Sequence, residues 1–553
     1  MKPEEIDAKA LAERTKQSAF AARLFCCAST GCLSSGSKTI QDVLKERLTA
    51  AGLAAKVQIV PTGCMGLCSL GPLIRIERPG EKDKMLSLVT PELAGVMVDT
   101  WLAPTLLGAK TELSPQLTTH LLDLDLPFFA KQVRVVLENS GKVNPESIDD
   151  YYSHDGYQAL KTVLAGTPEA VIETIAASGL RGRGGAGFPT ATKWGIARKA
   201  PGTDKVVICN GDEGDPGAYM DRSVLEGDPH AVIEGMLIAA YAIGANQGFF
   251  YIRAEYPLAV ERVEKAIRQA KAAGFIGKDI LGSGFSFSCE IRLGAGAFVC
   301  GEETALIASV EGRRGTPSPR PPFPAVKGLW GMPTCINNVE TLANIQRIIR
   351  KGSAWFAGMG TEKSKGSKVF ALTGKVKHNG LVEVPMGMTL REIVEDIGGG
   401  TASGKKVKIV QTGGPSGGMI PAEKLDSPVS YEHLAQLGSI MGSGGMIVME
   451  EGDDVVELSK FYLEFTVDES CGKCAPCRIG GVQMLEVLNR ILDGHGKLED
   501  LATIQRLAKA MQKASLCGLG QTAPNPVLSA LRYFENEFTR RITTPAPAAV
   551  GAK

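Results

Sequence analysis

The sequence predicts a multidomain α/β protein. Its 553 residues are enough for about three to five domains at ~150 residues each. Hydrophobic residues make up 44% of the chain and charged residues 22%, which is typical of globular proteins and too apolar for a disordered chain. Segments with helical periodicity alternate with short apolar strands and glycine-rich loops along most of the length.

Charge and hydropathy exclude several classes of partner. The formal net charge is +1, which gives no general field for wrapping nucleic acid or binding an anionic membrane. No segment approaches the ~20 apolar residues that span a bilayer. The polar N-terminus does not resemble a signal peptide. We therefore expect a cytoplasmic protein with no membrane span and no nucleic-acid partner.

The first part of the chain predicts a thioredoxin-like domain over residues 23–105, after an N-terminal extension (residues 1–22). A helical apolar spacing separates two strand-like segments, and a predicted hairpin follows. Thr90-Pro91-Glu92 is typical of a helix start, with a capping hydroxyl, a proline and an acid. The resulting order is βαβ–ββα, with the four strands at residues 23–27, 57–60, 73–76 and 85–89.

The rest of the chain divides into four regions and a tail. Residues 106–170, in which prolines separate short helical stretches, are predicted to be a connector. Residues 171–360 hold most of the glycine motifs, and residues 361–455 alternate apolar strands with glycine turns. Residues 456–540 are helical by pattern, and the tail at 541–553 is predicted to be disordered. The helical region has one apolar face, which includes Met484, Val487, Leu488 and Leu492.

Eight of the 13 cysteines form two groups of four. Clustered cysteines in a chain without an export signal are typical of metal or cluster ligands. The first group follows the two predicted parallel strands and contains Cys27, Cys32, Cys64 and Cys68. These loops leave the same end of a thioredoxin-like sheet, so the group predicts a 2Fe–2S cluster, with structural zinc as the alternative. Cys26 adjoins Cys27, and the four-residue gap to Cys32 favours Cys27.

The second group has the spacing C-x2-C-x2-C with a distant fourth cysteine, and contains Cys471, Cys474, Cys477 and Cys517. This spacing is typical of a 4Fe–4S cluster, because three ligands on one loop hold three corners and the fourth closes the cube. The other cysteines are isolated in apolar or glycine-flanked segments and are interpreted as small buried hydrophobes. They are Cys26, Cys209, Cys289, Cys300 and Cys335.

Two glycine loops match phosphate-binding patterns only formally. Residues 182–187 satisfy G-x-G-x-x-G, but a helical segment precedes them and Phe188-Pro189 interrupts any helix behind. The loop therefore predicts a glycine-lined nucleotide cradle and not an ordinary dinucleotide fold. Residues 399–405 resemble a P-loop, but Lys406 stands where the motif needs Ser or Thr for magnesium, so we reject this interpretation.

Carboxylates adjoin the glycine-rich segments at residues 209–216 and 294–303. Solvated acidic turns are the ordinary interpretation of such residues. Adjacent glycines and apolar flanks favour a polyhydroxylated ligand instead, because carboxylates accept hydrogen bonds from ribose or ribityl hydroxyls and repel a 2′-phosphate. On this ground NAD is preferred to NADP. The carboxylates are Asp212, Glu213, Asp215, Glu302 and Glu303.

Five motifs together resemble the NADH-oxidising flavoprotein subunit of respiratory complex I and its relatives: GLRGRGGAGFPTATKW, CNGDEGDPGAYMDR, CGEETALIASVEG, PPFPAVKGLWGMPTCINNVETLANI and ESCGKCAPCRIGG. The resemblance covers roughly residues 160–540. The first cysteine group resembles the thioredoxin-like 2Fe–2S subunit of the same systems, here fused in front. The fusion and the length are most similar to the diaphorase subunit of NAD-reducing bidirectional nickel–iron hydrogenases. Bifurcating iron hydrogenases have a similar subunit with an additional cysteine tail, which is missing after Cys517.

The resemblance implies a fold and a cofactor for each of the later regions. It implies a Rossmann-like FMN/NADH domain at residues 171–360 and a small β-grasp-like (ubiquitin-like) domain at 361–455. It also implies a C-terminal helical bundle that carries the 4Fe–4S cluster at 456–540. No protein acid or base is expected, because hydride transfer to flavin depends on stacking and orientation.

The resemblance also assigns ligand-binding residues. Glu213 and Glu303 would lie near the nicotinamide, and Phe188 and Phe323 would stack on the adenine. The sequence departs from the usual residues at Asp215, Ile196, Phe298 and Arg320. The FMN set is Gly182, Gly184, Lys193, Asn210, Asp212, Glu213, Gly301, Glu302, Asn337, Asn338 and Thr341, and the NAD set is Phe188, Asp215, Glu303, Arg320 and Phe323.

The implied activity is electron exchange between NADH, FMN, the 4Fe–4S cluster and partner subunits that carry further iron–sulfur clusters. The 2Fe–2S cluster lies on that route or stores electrons beside it. One alternative is the same module in complex I or in an NAD-dependent formate dehydrogenase. A remote alternative is a zinc-bearing scaffold without redox activity, since cysteine quartets also hold zinc.

Overall fold

The computed structural model describes residues 2–543, so the predicted disorder of residues 544–553 lies outside the described residues. Three β-sheets and a C-terminal group of helices form this part of the chain. None of the helices between residues 2 and 543 has the length and apolar character needed to cross a membrane.

The first sheet has the predicted order of elements. Its strands are arranged β2-β1-β3-β4-β5, with β1 parallel to β2 and antiparallel to β3. Thr90 caps the helix after the hairpin, because its hydroxyl accepts the Leu93 N–H at 3.2 Å. The elements are α1 (Pro3–Ser18), β1 (Ala22–Cys27), α2 (Thr30–Ser34), α3 (Ser37–Ala50), β2 (Val57–Thr62), β3 (Ile74–Glu77), β4 (Lys84–Leu86) and α4 (Pro91–Val96), and the last continues through a wider helical turn (Met97–Leu102) into α5 (Ala103–Leu106).

The connector packs against the sheets on both sides of it. It supplies the edge strand β5 of the first sheet, which the sequence did not predict, and β5 pairs antiparallel with β4. Its later part is fastened by the buried carboxylate of Glu383, which accepts the backbone N–H groups of Val135, Val136 and Leu137 at 2.8 to 3.0 Å. The connector elements are α6 (Pro115–Thr119), β5 (Leu121–Leu122), α7 (Pro127–Ala130), α8 (Ile148–Ser153) and α9 (Gln158–Leu164).

The second sheet is fully parallel, with the strand order β8-β7-β6-β9. A helix and not a strand precedes the glycine loop, as expected. The expected interruption after the loop is wrong, because Pro189 immediately precedes a helix that begins at Thr190. The elements are α10 (Pro168–Ser178), α11 (Thr190–Lys199), β6 (Val206–Gly211), α12 (Met220–Gly227), α13 (Pro229–Ile243), β7 (Gln247–Arg253), α14 (Pro257–Ala272), β8 (Ser288–Gly294), α15 (Glu303–Val310), β9 (Thr334–Asn338), α16 (Val339–Lys351) and α17 (Ser353–Ala357).

The third sheet is mixed, as the alternation of apolar segments and glycine turns predicts for a small β-rich region. Its order is β11-β10-β14-β12-β13, and only the β10–β14 pair is parallel. The P-loop-like segment precedes a strand of this sheet and not a helix, which agrees with its rejection. The elements are β10 (Ser367–Gly374), β11 (Gly380–Pro385), β12 (Val407–Thr412), β13 (Gly418–Pro421), α18 (Tyr431–Gln436) and β14 (Gly445–Glu450).

The last described region is helical, as predicted. Met484, Val487 and Leu488 are buried on one face, but Ile491 takes the buried position expected of Leu492. The final helix runs through residues 541–543, so the predicted disorder is wrong for these three residues. The elements are α19 (Val455–Asp468), α20 (Ala475–Leu492), α21 (Leu498–Ala514), α22 (Gly518–Thr522) and α23 (Asn525–Thr543).

Candidate functional site

The glycine loop at residues 181–188 is held in a fixed shape. The Gly182 N–H donates to the Phe188 carbonyl at 2.9 Å, which closes the loop. The buried Arg183 donates its backbone N–H to Thr341 Oγ1 at 2.8 Å, and its guanidinium donates to backbone carbonyls that include that of Lys365 at 2.7 Å. A Cβ at Gly184 would lie 3.1 Å from the Asn338 Cβ, so glycine allows the close approach seen here.

Amide side chains from the ends of two parallel strands lie beside this loop. Asn210 is the second-last residue of β6 and donates to the Gly301 carbonyl at 2.9 Å. Asn337 and Asn338 end β9, and Asn337 Oδ1 accepts the Trp194 indole N–H at 2.9 Å. Asn338 caps the following helix by accepting the Thr341 N–H at 3.3 Å. These residues meet because the carboxyl ends of parallel strands lie at one edge of a sheet, where ligands bind in open α/β folds.

Two adjoining cavities of about 750 and 640 Å³ lie at this edge, and all residues of the predicted FMN and NAD sets line one or both. Their shared wall includes Gly184, Asn210, Gly301, Glu302 and Asn338. The smaller cavity adds Gly182, Phe188, Lys193, Glu303, Arg320, Phe323, Asn337 and Thr341, and the larger cavity adds Asp212, Glu213 and Asp215. The structure therefore separates Asp215 from the other residues of the NAD set, and separates Glu213 from Glu303.

Of the acidic residues after β6, Asp212 and Glu213 are buried and Asp215 is half-buried, so they are not solvated turns. Burial raises the pKa of Asp212 to about 7, and neither of its carboxylate oxygens has a hydrogen-bond partner among residues 2–543. Its nearest cationic atom is Arg253 Nη1 at 3.8 Å. Burial also raises the pKa of Glu213 to about 7, although it accepts two backbone N–H groups. Burial raises the pKa of Asp215 to about 6, while it accepts the Ser443 hydroxyl at 2.6 Å.

The two oxygens of Asp212 are acceptors at the wall of the larger cavity for which the described residues supply no donor. A buried acceptor without a partner costs about 1–3 kcal/mol, so such a group is expected to accept from a bound molecule. Glu302 differs, because it caps α15 by accepting the N–H groups of Thr304 at 2.9 Å and Ala305 at 3.0 Å. The Glu302 carboxylate is therefore already hydrogen-bonded to the protein backbone, unlike that of Asp212.

The mouth of the smaller cavity is apolar and aromatic. Phe188 is 48% exposed and Phe323 is 55% exposed, although both are large hydrophobic side chains. Ile196 and Val326 add further exposed apolar surface to the same wall. Arg320 lies 5.8 Å from the Phe323 ring centroid. Two flat rings at an open mouth suit the stacking of a planar heterocycle.

Glu303 is held between two cations at this mouth. Its carboxylate lies 2.8 Å from Arg320 Nη1 and 3.7 Å from Lys193 Nζ. Lys193 also donates to the Ile336 carbonyl at 3.1 Å. The pairing places one carboxylate and two cations where a phosphate-bearing ligand would enter.

The third sheet contributes residues that sequence reasoning missed. Tyr431 begins α18, and its hydroxyl donates to the Gly182 carbonyl at 2.7 Å, which fastens the glycine loop from outside its own domain. Gly442 and Ser443 line the larger cavity beside it. No short motif links these residues to the loop, since they lie some 250 positions away, and only the domain packing brings them together.

The second cysteine group surrounds one small cavity between α19, α20 and α22. Cys471, Cys474, Cys477 and Cys517 line it together with Val299 and Leu519. Leu516 donates its backbone N–H to Cys474 Sγ at 3.5 Å, and the Ser470 hydroxyl lies 3.3 Å from Cys477 Sγ. Val299 and Leu519 also line the 750 Å³ cavity. The two cavities thus share a thin apolar wall.

In the first cysteine group each thiol contacts at least one other thiol of the group. Cys27 contacts Cys32 and Cys64, and the Sγ atoms of Cys64 and Cys68 lie 3.5 Å apart. Cys26 faces the opposite side of β1, where burial raises its pKa to about 12. The other isolated cysteines are also buried, as expected. Within residues 2–543, no group of three or more His, Cys, Asp or Glu side chains is arranged to hold a metal ion.

The cysteine loops of the first sheet are docked on the rest of the molecule. The Leu381 N–H donates to the Gly66 carbonyl at 2.8 Å, and the Ser69 N–H donates to the Asn379 carbonyl at 3.1 Å. A Cβ at Gly63 would lie 2.4 Å from the Gly227 Cα, so the loop and α12 pack backbone against backbone. The first cysteine group is therefore part of the same packed unit as the cavities.

Comparison with known families identifies three domains. Residues 175–347 match the Nuo51 FMN-binding domain, residues 369–420 match the SLBB domain, and residues 457–541 match the iron–sulfur binding region of NADH-ubiquinone oxidoreductase-F. These matches confirm the predicted flavoprotein resemblance and the multidomain α/β class. They do not cover the first sheet.

Comparison with curated proteins and solved structures extends the similarity. The chain is 56% identical to the NADP-reducing hydrogenase subunit HndC of Solidesulfovibrio fructosivorans, over 74% of this chain and 84% of that protein. It is 45% identical to the second F subunit of NADH-quinone oxidoreductase from Rhizobium meliloti, over 74% and 97% of the two chains. The crystal structure of an NAD+-reducing [NiFe]-hydrogenase in the H2-reduced state matches 98% of this chain and 90% of its own, with a TM-score of 0.67 and 28% identity.

Proposed function

The chain belongs to the family that contains the F subunit of NADH-quinone oxidoreductase and its hydrogenase relatives, and from this membership we propose that it is an NAD-dependent oxidoreductase subunit that exchanges a hydride between NAD(H) and FMN. FMN, when bound, converts a two-electron transfer into single-electron steps. The single electrons would pass through iron–sulfur clusters to partner subunits. The observation that carries this proposal is the wall of Val299 and Leu519, which the larger cavity shares with the second cysteine group.

The residues present fit FMN. Asp212 offers two buried acceptors without partners, which suit ribityl hydroxyls or ring N–H donors. Gly184 leaves room for close backbone approach, and Lys193 supplies a cation near the strand ends. The remaining FMN contacts in the proposal are Gly182, Asn210, Glu213, Gly301, Glu302, Asn337, Asn338 and Thr341.

The aromatic mouth fits NAD. Phe188 and Phe323 would stack on the adenine, while Arg320 would approach the pyrophosphate from its pair with Glu303. We propose NAD over NADP because carboxylates line both cavities. HndC is named as NADP-reducing, so kcat/KM for NADH and NADPH must be compared directly. A higher value for NADPH would overturn the choice.

Among residues 2–543 neither cysteine group is arranged around a single metal ion, but each offers four thiols, the number of ligands that an iron–sulfur cluster takes. Cys471, Cys474, Cys477 and Cys517 would hold a 4Fe–4S cluster, since four thiols line one cavity with a backbone donor at a sulfur. We also propose that the first sheet is a thioredoxin-like 2Fe–2S domain with Cys27, Cys32, Cys64 and Cys68 as ligands. The continuous thiol contacts and the strand order of the sheet support this assignment.

We propose a hydrogenase as the partner, most specifically a cytoplasmic NAD-reducing nickel–iron enzyme. The structural match to an NAD+-reducing [NiFe]-hydrogenase covers 98% of this chain, which supports the assignment. Complex I is the second candidate, because an F subunit of NADH-quinone oxidoreductase is 45% identical. An NAD-dependent formate dehydrogenase is a third candidate for the partner, and it rests on the sequence resemblance alone.

Anaerobic purification followed by flavin, iron, sulfide and zinc analysis tests the cofactor assignment. The account predicts one FMN, one 4Fe–4S and one 2Fe–2S cluster per chain. It also predicts flavin and cluster absorption that NADH bleaches. A chain with zinc, no flavin and no response to NADH would instead be the scaffold alternative, and the proposal would fail.

A further inference from the structure

The first cysteine group receives a hydrogen bond from the region that matches the FMN-binding domain (residues 175–347), here called the central domain. The Tyr219 hydroxyl donates to Cys68 Sγ at 3.8 Å, which is within range for a sulfur acceptor. Tyr219 immediately precedes α12 and is half-buried. Tyr219 and Cys68 therefore come from different domains, 151 positions apart in the chain.

The segment that begins at Tyr219 also contacts the larger cavity. The backbone N–H groups of Asp221 and Arg222 donate to the Glu213 carboxylate at 3.1 and 3.0 Å. Glu213 lines that cavity. One short segment thus contacts the wall of the proposed flavin site at one end and a proposed cluster ligand at the other.

Two arginines lie near the same cysteine group, together with the buried carboxylate of Glu226, which accepts the Thr30 N–H at 3.0 Å. Arg222 lies 5.6 Å from the Tyr219 ring centroid and exerts an attractive field on Cys68. Arg262 is buried, donates to the Ala28 carbonyl at 2.8 Å and lies beside Cys27. Both arginines belong to the central domain, so that domain sets much of the local electrostatics around the thiols.

Hydrogen bonds and cations at cluster sulfurs act on the reduction equilibrium. One-electron reduction adds one negative charge to a cluster, and part of that charge spreads onto its cysteine sulfurs. A donor at a sulfur therefore stabilises the reduced form more than the oxidised form and raises the reduction potential.

We propose that Tyr219 is a positioning residue that raises the reduction potential of the 2Fe–2S cluster through its hydrogen bond to Cys68. This inference rests on the proposed 2Fe–2S assignment of Cys27, Cys32, Cys64 and Cys68. Through this hydrogen bond, a residue of the central domain would set the reduction potential of the N-terminal cluster.

The test is an EPR-monitored redox titration of the full chain, purified without oxygen, as the native protein and as Tyr219→Phe. The substitution keeps the ring and removes the donor. The equilibrium constant for reduction of the 2Fe–2S cluster should fall about threefold to tenfold, and tenfold is about 59 mV for one electron. The 4Fe–4S potential should not move. Tyr241→Phe is the matched control, because the Tyr241 hydroxyl donates to the Gly166 carbonyl at 2.9 Å, away from the cysteines.

A second measurement detects the hydrogen bond itself. Pulsed EPR of the native chain in H2O and in D2O should show exchangeable couplings to the 2Fe–2S cluster, one from the Tyr219 hydroxyl and one from the Gly66 N–H that donates to Cys64 Sγ at 3.3 Å, and Tyr219→Phe should lose only the first. An unchanged potential in Tyr219→Phe, or a shift no larger than in Tyr241→Phe, overturns the inference while leaving the proposed cluster in place. Absence of any 2Fe–2S signal from the native chain overturns both.

Discussion

Asp212 is the residue whose surroundings point most directly to a bound ligand. Its carboxylate is buried at the wall of the larger cavity, yet both oxygens lack hydrogen-bond partners. The Arg253 guanidinium, at 3.8 Å, is too distant for a hydrogen bond. Burial dominates and raises the pKa to about 7. A ligand that donates to these oxygens would favour the ionised form.

The first prediction concerns the pH dependence of FMN binding. FMN donors favour the ionised carboxylate, so binding releases a proton below the raised pKa of about 7. Affinity for FMN should therefore rise between about pH 6 and about pH 8. Asp212→Asn should bind FMN about 10- to 100-fold more weakly and lose most of this rise.

Fluorescence titration of FMN into flavin-depleted protein measures both effects. Asp204→Asn is a suitable control, because Asp204 pairs with Asn246 on the exposed surface. An equal pH slope in Asp212→Asn would remove Asp212 from the flavin site.

Phe323 carries the second prediction, at the cavity mouth. A half-exposed ring that stacks on adenine contributes about 0.5–1.5 kcal/mol beyond area burial. Phe323→Ala should therefore raise KM for NADH about threefold to tenfold and leave kcat with an artificial dye nearly unchanged. Phe461→Ala is the matched control, since Phe461 is similarly exposed on α19 and lines none of these cavities. Equal KM values for the two variants would contradict the proposed stacking.

Among the secondary-structure elements, α20 and the wall beside it connect the cavities to the second cysteine group. Cys474 immediately precedes α20 and Cys477 lies in its first turn. Leu519 follows Cys517 in the short α22 and lines the larger cavity as well. The segment that supplies the fourth cysteine therefore also supplies Leu519, one of the two side chains of the apolar wall.

The third prediction separates flavin chemistry from cluster chemistry. Cys477→Ala should retain part of the NADH–dye activity, because the flavin cavity keeps its residues. It should abolish electron transfer to physiological partners, because the 4Fe–4S cluster loses a ligand. Cys289→Ala, at an isolated buried cysteine in β8, should affect neither. Unchanged partner reduction by Cys477→Ala would show that electrons bypass this cluster.

The local sequence pattern was sufficient to predict those secondary-structure elements and motifs that depend on residues close together in the chain. The periodicity of the first hundred residues predicted the βαβ–ββα order, and the cysteine spacing singled out residues that the structure brings together. The strand β5 was missed, because it is only two residues long and exists only through pairing with β4. Tyr431 was missed for a similar reason, since its contact with Gly182 depends on domain packing.

Proline and helix-end signals account for the remaining differences. Pro189 was interpreted as a helix breaker, but proline is tolerated at a helix start, where its missing N–H has no partner to lose. The last helix extends through Arg541 because Arg541 pairs with Asp454, the cap of α19. The pairing of Arg541 with Asp454 spans 87 positions, so a local window of sequence does not contain it.

At the scale of the whole molecule, the two cavities and the two cysteine groups lie next to one another in the fold. The aromatic mouth leads to the glycine loop, the larger cavity lies behind the loop, and Val299 and Leu519 separate that cavity from the second cysteine group. The first cysteine group packs against α12 on another side through Tyr219. This arrangement suits a protein that accepts an electron pair at one opening and delivers single electrons elsewhere.

The most direct test of this account is rapid mixing of the oxygen-free holoprotein with NADH, followed by freezing and EPR spectroscopy of the 4Fe–4S cluster. The account predicts that a reduced-cluster signal develops together with flavin bleaching, and that Cys477→Ala bleaches flavin without that signal. Flavin bleaching in the native chain with the 4Fe–4S cluster left oxidised, although chemical reductants reduce it, would contradict the account.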